Sequence, residues 1–366
     1  MISMGGFKNY DALFVTNPYN IRYLSGFVGV NPQEREAYLL LVKKKRYLIA
    51  SRLYEAEARR LEAPLVEIII TSPGNSVSDI LSGLVKKLRI KRLGVEAASM
   101  TLAEFKWIKK KTPNIHFIET AGAIEQRRVI KNGEEIEKIE KAQRIAEESF
   151  SMLLRLIKPG MAEIAIAERL EAIMKIRGSE RPSFETIVAF GKNAARPHYR
   201  TRSTGSRQVG TTKIKKGSML LMDFGATYQG YCGDMSRTIF LGKPTARFLK
   251  IYNLVQQAQE RTLQKCVARM RAHDIHTEAH ELFERERVQD NFTHALGHGI
   301  GLEVHEAPHI RKDSRDILKP GMVFSVEPGL YFPGWGGVRI EDLVALRPYR
   351  ADVLRKKKPS LISLFH

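Results

Sequence analysis

The 366-residue chain reads as α+β, a pseudo-symmetric domain following a smaller α/β region. Three observations predict this. The texture changes near residues 125–132, from short strand-like runs to a long amphipathic helix. The second part then repeats a plan of helix, helix and sheet. Each repeat ends in an acidic strand–turn–strand segment.

In the first region, placed at residues 1–125, the runs "ALFVT", "YLLLV" and "RYLIA" predict strands between turn residues. Residues 52–62 and 76–89 read as helices, and "IKRLGVE" as another strand. In the second, placed at 126–366, "GEEIEKIEKAQRIAEESFSMLLRLI" has apolar residues at helical spacing and acidic residues in its first turn. Helices are expected at about 134–157 and 162–177, then strands ending in a hairpin at 218–241. The second half repeats this with helices at about 245–270 and 275–288, then a sheet segment at 322–345.

Composition narrows the function classes. No stretch approaches the ~18–20 apolar residues needed to cross a bilayer, so no membrane association is expected. "MISMGGFKNYD" lacks a basic start followed by an apolar run. Two cysteines, Cys232 and Cys266, make no disulfide framework. A cytoplasmic location is the simplest expectation. The net charge of +20 raises a nucleic-acid partner. The basic runs "KKKR", "KKLRIKR", "KWIKKK" and "RKKK" are dispersed and lack interleaved aromatics, so they read as solvated faces. No specific nucleic acid is expected, although salt-sensitive contact with polyanions stays open.

The chemistry concentrates in the two hairpins. In "LMDFGATYQGYCGDMSR" the midpoint of Asp223 and Asp234 falls between Tyr228 and Gln229, which predicts direct cross-strand neighbours. In "SVEPGLYFPGWGGVRIEDLVAL" the midpoint of Glu327 and Glu341 is Gly334. Buried carboxylate pairs must share a proton or bind a cation. Four converging carboxylates imply two divalent ions. Asp342 points to the opposite face and is excluded as a ligand. The Gly-rich "FTHALGHGIGLEVHE" offers His294, His298 and His305 as nitrogen ligands, and "ARPHYR" adds His198. His276 and His280 are spaced i, i+4 but lack the H-E-x-x-H pattern and read as a solvated helix face.

Taken with "TNPYNIRYLSGF", "SVEPGLY" and "GGVRIED", these segments resemble, in order, the motifs of the pita-bread metallopeptidases. The resemblance is to the prolidase (Xaa-Pro dipeptidase) and aminopeptidase P group, and covers nearly the whole chain. It implies a pita-bread catalytic domain behind a creatinase-like N-terminal domain. It also implies five metal ligands: Asp223, Asp234, His298, Glu327 and Glu341. His198 and His305 match substrate-contacting histidines, and Arg339 an arginine beside the site. The expected activity is hydrolysis of the Xaa-Pro bond at the N-terminus of short peptides or dipeptides, with a homodimer as the assembly. The oxygen-rich donor set suits Mn²⁺, with Co²⁺ or Zn²⁺ as alternatives, and Glu327 doubles as general base.

The chain departs from the family twice. About ten residues precede "YDALFVTNP" where a helix is usual, so a trimmed domain or a start lying upstream is expected. "MRAHDI" replaces a usual Pro-Gly turn. Three other readings stand beside the peptidase. A methionine aminopeptidase-like enzyme would share the site but usually lacks the N-terminal domain. A creatinase-type hydrolase would lack the metals. A basic nucleic-acid-binding protein on this fold would normally have lost ligands.

Overall fold

The computed structural model describes residues 9–28, 35–43, 45–202, 210–356 and 358–365. The residues before Asn9, and parts of the runs "KKKR" and "RKKK", lie outside that description. The chain packs into two compact units, Met1–Arg128 and Val129–His366.

The first unit is a six-stranded sheet flanked by helices. Its strand order is Val66–Ile70, Lys45–Ala50, Ala37–Val42, Ala12–Val15, Arg92–Glu96 and His116–Thr120. The helices Val77–Lys87 and Leu102–Lys111 each begin with a reciprocal capping box, Ser76 with Asp79 and Thr101 with Glu104. Two strands, Val66–Ile70 and His116–Thr120, and two helices, Pro18–Ser25 and Leu102–Lys111, go beyond the sequence expectation. Both strands are only partly buried. They sit at the two sheet edges, although "VEIII" has the β-branched composition of a strand.

The second unit has two halves of like plan. Helices Gly133–Leu153 and Glu163–Ile176 pack on a sheet ordered Ser363–Leu364, Met235–Leu241, Ser218–Phe224, Ile187–Phe190. Helices Ala246–Lys265 and Ala272–Arg285 pack on a sheet ordered Glu306–Ile310, Gly297–Gly299, Val323–Val326, Asp342–Leu346, Ala351–Val353. Asn132 caps the first helix in a box with Glu135. That helix's buried face (Ile136, Ile139, Ala142, Ala146, Phe150, Leu153) follows the helical period.

His276 is no part of a solvated face. It is 7% exposed and lies edge-on against Phe292, 5.4 Å between ring centroids. The cause is its phase, four residues after Ala272 and one after Ile275, within the buried stripe that continues to Ala279 and Phe283. Burial lowers its pKa to about 4.

The helix-to-helix turns show the pseudo-symmetry at residue level. Two positions before the second helix's N-cap, Gly160 has φ 89° in the first half and Arg269 has φ 75° in the second. The left-handed turn is therefore kept without a glycine, at Arg269, one residue before "MRAHDI". Such a conformation strains an L-residue by about 1–2 kcal/mol, partly offset by the looser unfolded chain a glycine would bring. Arg269→Gly is expected to stabilise the protein by about 0.5–1 kcal/mol. Denaturant unfolding should show a higher midpoint at unchanged slope.

Candidate metal centre

The two acidic segments are built differently. In the second, the pairings Val326 with Asp342 and Gly329 with Arg339 belong to one continuous register. That register sets Glu327 across from Glu341, as the midpoint at Gly334 predicts. In the first, Asp223 pairs with Ser236, not Asp234. The register runs on to Tyr228 opposite Tyr231. The turn is therefore the pair Gln229–Gly230, with φ of 47° and 79°, as a type I′ hairpin requires. The turn centre lies one residue later than the midpoint assumed, which slides the partner by two. Asp234 thus sits opposite Gly225, diagonal to Asp223 on the same face, where Cα atoms are roughly 7–8 Å apart. The aspartates are near each other but not directly opposed.

His298 comes from the short strand Gly297–Gly299, which the backbone can approach on both sides. A Cβ at Gly297 would lie 1.9 Å from the Ser325 carbonyl oxygen, and one at Gly299 2.0 Å from that of Ala307. The register breaks between His298 and Gly299, a bulge that re-aims the side chain. His298 Nδ1 donates to the Gly299 carbonyl at 3.1 Å. This fixes the tautomer and leaves the Nε2 lone pair facing Asp234 (3.7 Å) and Glu327 (3.4 Å). Ser325 joins both groups, accepting from the His298 amide at 3.1 Å and donating to Glu327 at 3.2 Å.

One cavity of about 540 Å³ is lined by all nine candidate site residues singled out from sequence: His198, Asp223, Asp234, His294, His298, His305, Glu327, Arg339 and Glu341. Asp234, His298 and Glu341 each present a ligand-type atom, all within 4.8 Å of one another. His305 stacks at an angle on His298, 4.4 Å between centroids. Arg339 is buried and fully engaged. It donates to Asp223 Oδ2, Ser236 Oγ and Tyr331 Oη, each at 2.7 Å, and to the Pro197 carbonyl at 3.3 Å.

Asp342 points away from the cavity. It pairs with Arg237 at 2.6 Å, with Arg355, and with Gln259 at 3.0 Å.

Sequence reasoning passed over Ser236, Ser325, Tyr331 and Gln143, and offered His294 as a nitrogen ligand, whereas both its ring nitrogens are engaged in hydrogen bonds. Ser236 Oγ donates to Glu341 at 2.8 Å, and the Asp234 amide donates to Gln143 at 3.1 Å. His294 Nδ1 donates to the Ala295 carbonyl, and its Nε2 accepts from Tyr331 Oη at 2.9 Å. Strand parity could have found the serines, since Ser236 lies two residues from Asp234 and Ser325 two from Glu327, on the same faces. Tyr331 and Gln143 carry no comparable pattern.

The electrostatics fit cations. Burial first, then repulsion among the carboxylates, raises the pKa of Asp234 and Glu341 well above the usual range. Burial pushes Glu327 up to about 8, against the pull of Arg339. Burial lowers His298 to about 4 and His294 to about 3, leaving neutral imidazoles. Asp223 Oδ1 and Glu341 Oε1 are buried without a hydrogen-bond partner among the described residues. Unpartnered carboxylate oxygens beside a neutral imidazole are what divalent cations take up.

A buried carboxylate–histidine cluster between two like halves defines a metallopeptidase-type catalytic domain. The metallopeptidase family M24 model matches residues 137–348, and the Creatinase/Prolidase N-terminal domain model matches residues 7–130. The chain belongs to metallopeptidase family M24. It is 32% identical to an Xaa-Pro dipeptidase of Pyrococcus furiosus over 97% of this chain and 96% of that one. Among solved structures it resembles an Xaa-Pro dipeptidase from Bacillus anthracis, with TM-score 0.89, 34% identity, and 97% and 95% of the two chains covered. It also resembles an X-Pro aminopeptidase from Thermotoga maritima, with TM-score 0.87, 32% identity, and 97% and 98% covered.

A carboxyl group whose folded-state pKa is raised adds no penalty below its unfolded value and its full penalty above the folded one. The metal-free protein is therefore expected to lose stability as pH rises from 4.5, the ordinary glutamate value, through about 8. Saturating Mn²⁺ should abolish that loss. Calorimetric melting across this range, in chelator and in Mn²⁺, checks it. Superimposable curves would count against cation binding by these carboxylates.

Proposed function

We propose that the chain is a dinuclear metal-dependent peptidase that hydrolyses the Xaa-Pro bond at the N-terminus of dipeptides or short peptides. The observation that carries this is the convergence of Asp234, His298 and Glu341 with Glu327 and Asp223 on one cavity. Asp223, Asp234, His298, Glu327 and Glu341 would hold two divalent ions. When bound, such ions supply Lewis-acid activation of a water and of the substrate carbonyl.

The chain's own residues do the rest. Glu327 is the base that takes the proton of the attacking water. His298 is kept neutral by burial and oriented by the Gly299 carbonyl. His305, stacked on His298, and His198, lining the same cavity, are donors to the oxygen of the scissile carbonyl. Arg339 holds Asp223 in place while bound to Tyr331. Phe184, Ile187 and Val304 give the cavity an apolar wall suited to a prolyl ring.

The proposal extends to manganese as the working ion, since four carboxylates and one imidazole make a predominantly hard donor set. Co²⁺ and Zn²⁺ are the alternatives. It also places the enzyme in the cytoplasm, where two buried unpaired cysteines fit a reducing compartment. No helix among the described residues is long and apolar enough to cross a membrane. The homodimer rests on the resemblance alone.

Structural relatives of similar identity carry both the dipeptidase and the aminopeptidase name, so substrate length is an experimental question. Turnover of Xaa-Pro dipeptides and Xaa-Pro-Yaa tripeptides, with Mn²⁺, Co²⁺ or Zn²⁺ added in turn, tests the function. Mn²⁺-dependent release of the N-terminal residue from at least one class is expected. No cleavage of either with any metal would refute the proposal. Asp234→Asn keeps the shape and removes the charge. It should lower kcat/KM by more than about 100-fold and reduce bound metal. Unchanged turnover in that variant would sink the ligand assignment.

A further inference from the structure

The first unit carries a concentration of positive charge that the peptidase chemistry does not use. Nine of the 26 residues from 86 to 111 are Lys or Arg, against 60 of 366 in the chain. The stretch holds two acidic residues, Glu96 and Glu104. Both are turned inward. Glu96 is 5% exposed and accepts from the Thr16 and Asn17 amides and from Asn20. Glu104 is 7% exposed and accepts from Tyr38, Arg35 and Thr101. The surface of this stretch therefore presents cations alone.

The fold gathers them. Arg92 pairs with His116 at the start of two parallel strands, so the helices ending at Lys87 and Lys111 finish at the same edge. The two helix-to-strand connections then lie side by side. They border a cavity of about 1160 Å³ lined by Lys86, Arg89, Lys91, Arg92, Lys111 and His116, over an apolar floor of Val85, Ile90 and Ile115. Asp11 is the acidic residue of the lining, and it is taken up by Arg92 at 3.1 Å and by the Lys91 and Arg92 amides. Lys111 pairs with Asp79 at 2.8 Å. The side chains of Lys86, Arg89 and Lys91 are exposed and have no ion-pair partner among the described residues.

Lysines in a helix's last turn complement its dipole, which accounts for Lys86 and Lys111. It does not account for Arg89 and Lys91, which lie past the helix end. A concave site disfavours a flat lipid surface. Unpaired cations above an aliphatic floor match phosphates joined by sugars and bases.

We propose that this cleft binds single-stranded nucleic acid through its phosphate backbone, without reading sequence. Lys86, Arg89 and Lys91 contact phosphates, and Val85, Ile90 and Ile115 receive sugar or base. With no Phe, Tyr or Trp in the lining, binding is electrostatic and salt-dependent.

The test measures fluorescence anisotropy of labelled single-stranded DNA of about 12 nucleotides. It uses the full chain over a salt series starting at about 50 mM. Lys86→Glu, Arg89→Glu and Lys91→Glu together should weaken binding at least about tenfold and flatten the logarithmic salt slope by about 2. The control reverses Lys213, Lys215 and Lys216, exposed in the other unit, for the same change in net charge. It should change affinity by less than about threefold. Circular dichroism confirms folding. If the charge reversals unfold the unit, the corresponding three Gln substitutions replace them, with the same direction expected. Equal loss in both variants would show a general charge effect and overturn the cleft. So would a wild-type chain that fails to bind at low salt, or displacement of the DNA by an acidic peptide as readily as by unlabelled DNA.

Discussion

The constraint on which the catalytic unit depends is the burial of like charges. Asp234 is 4% exposed and Glu341 1%. Burial and then the charge of Glu341 raise the pKa of Asp234, while burial and then Glu327 and Asp223 raise that of Glu341. Repulsion across a low-dielectric cavity grows several-fold over its value in water. Such a cluster needs compensating positive charge, and the protein supplies one part of it itself. Arg339 binds Asp223 through one nitrogen and braces on Ser236, Tyr331 and the Pro197 carbonyl through the rest. The proposed pair of divalent ions supplies the remainder.

Each half of the fold contributes what the other lacks. The first brings Asp223 and Ser236 on two strands of its sheet, and Asp234 one residue before the second of them. The second brings His298, Glu327, Arg339 and Glu341. The contact between halves is hydrogen-bonded as well as electrostatic: the Glu341 amide donates to the Ser236 carbonyl at 3.1 Å, and Thr238 Oγ donates to the Arg339 carbonyl at 3.1 Å. Asp342, one residue past Glu341, is tied on the opposite face to Arg237 and Gln259. The strand carrying Glu341 is thereby held from both sides, which sets the carboxylate without demanding that the metal do so.

The sequence made the second acidic hairpin legible because "PGWGG" marks its turn and the same register holds on either side of Glu327 and Glu341. The first was misread by two positions. Midpoint counting placed the turn at Tyr228–Gln229, whereas a type I′ turn needs two consecutive positive-φ residues and found them at Gln229–Gly230. Both aspartates still share a face, because a two-residue slip preserves strand parity. The site thus survived an error in its derivation. Helix phase was likewise readable for the face of Gly133–Leu153, and misjudged for His276, whose polarity masked its buried position. What stayed invisible were groups that act across long sequence separations, such as Gln143 on the Asp234 amide and Tyr331 between Arg339 and His294. The Gly299 carbonyl that fixes the His298 tautomer was equally hidden, because it depends on the local bulge.

The central claim is that these five side chains hold two divalent ions. Crystals of the manganese-loaded protein, measured on both sides of the manganese absorption edge, test it directly. The account predicts two anomalous peaks within the cluster of Asp223, Asp234, His298, Glu327 and Glu341, one of them in reach of His298 Nε2. Peaks found only elsewhere, or none at all under loading conditions that support turnover, would contradict it.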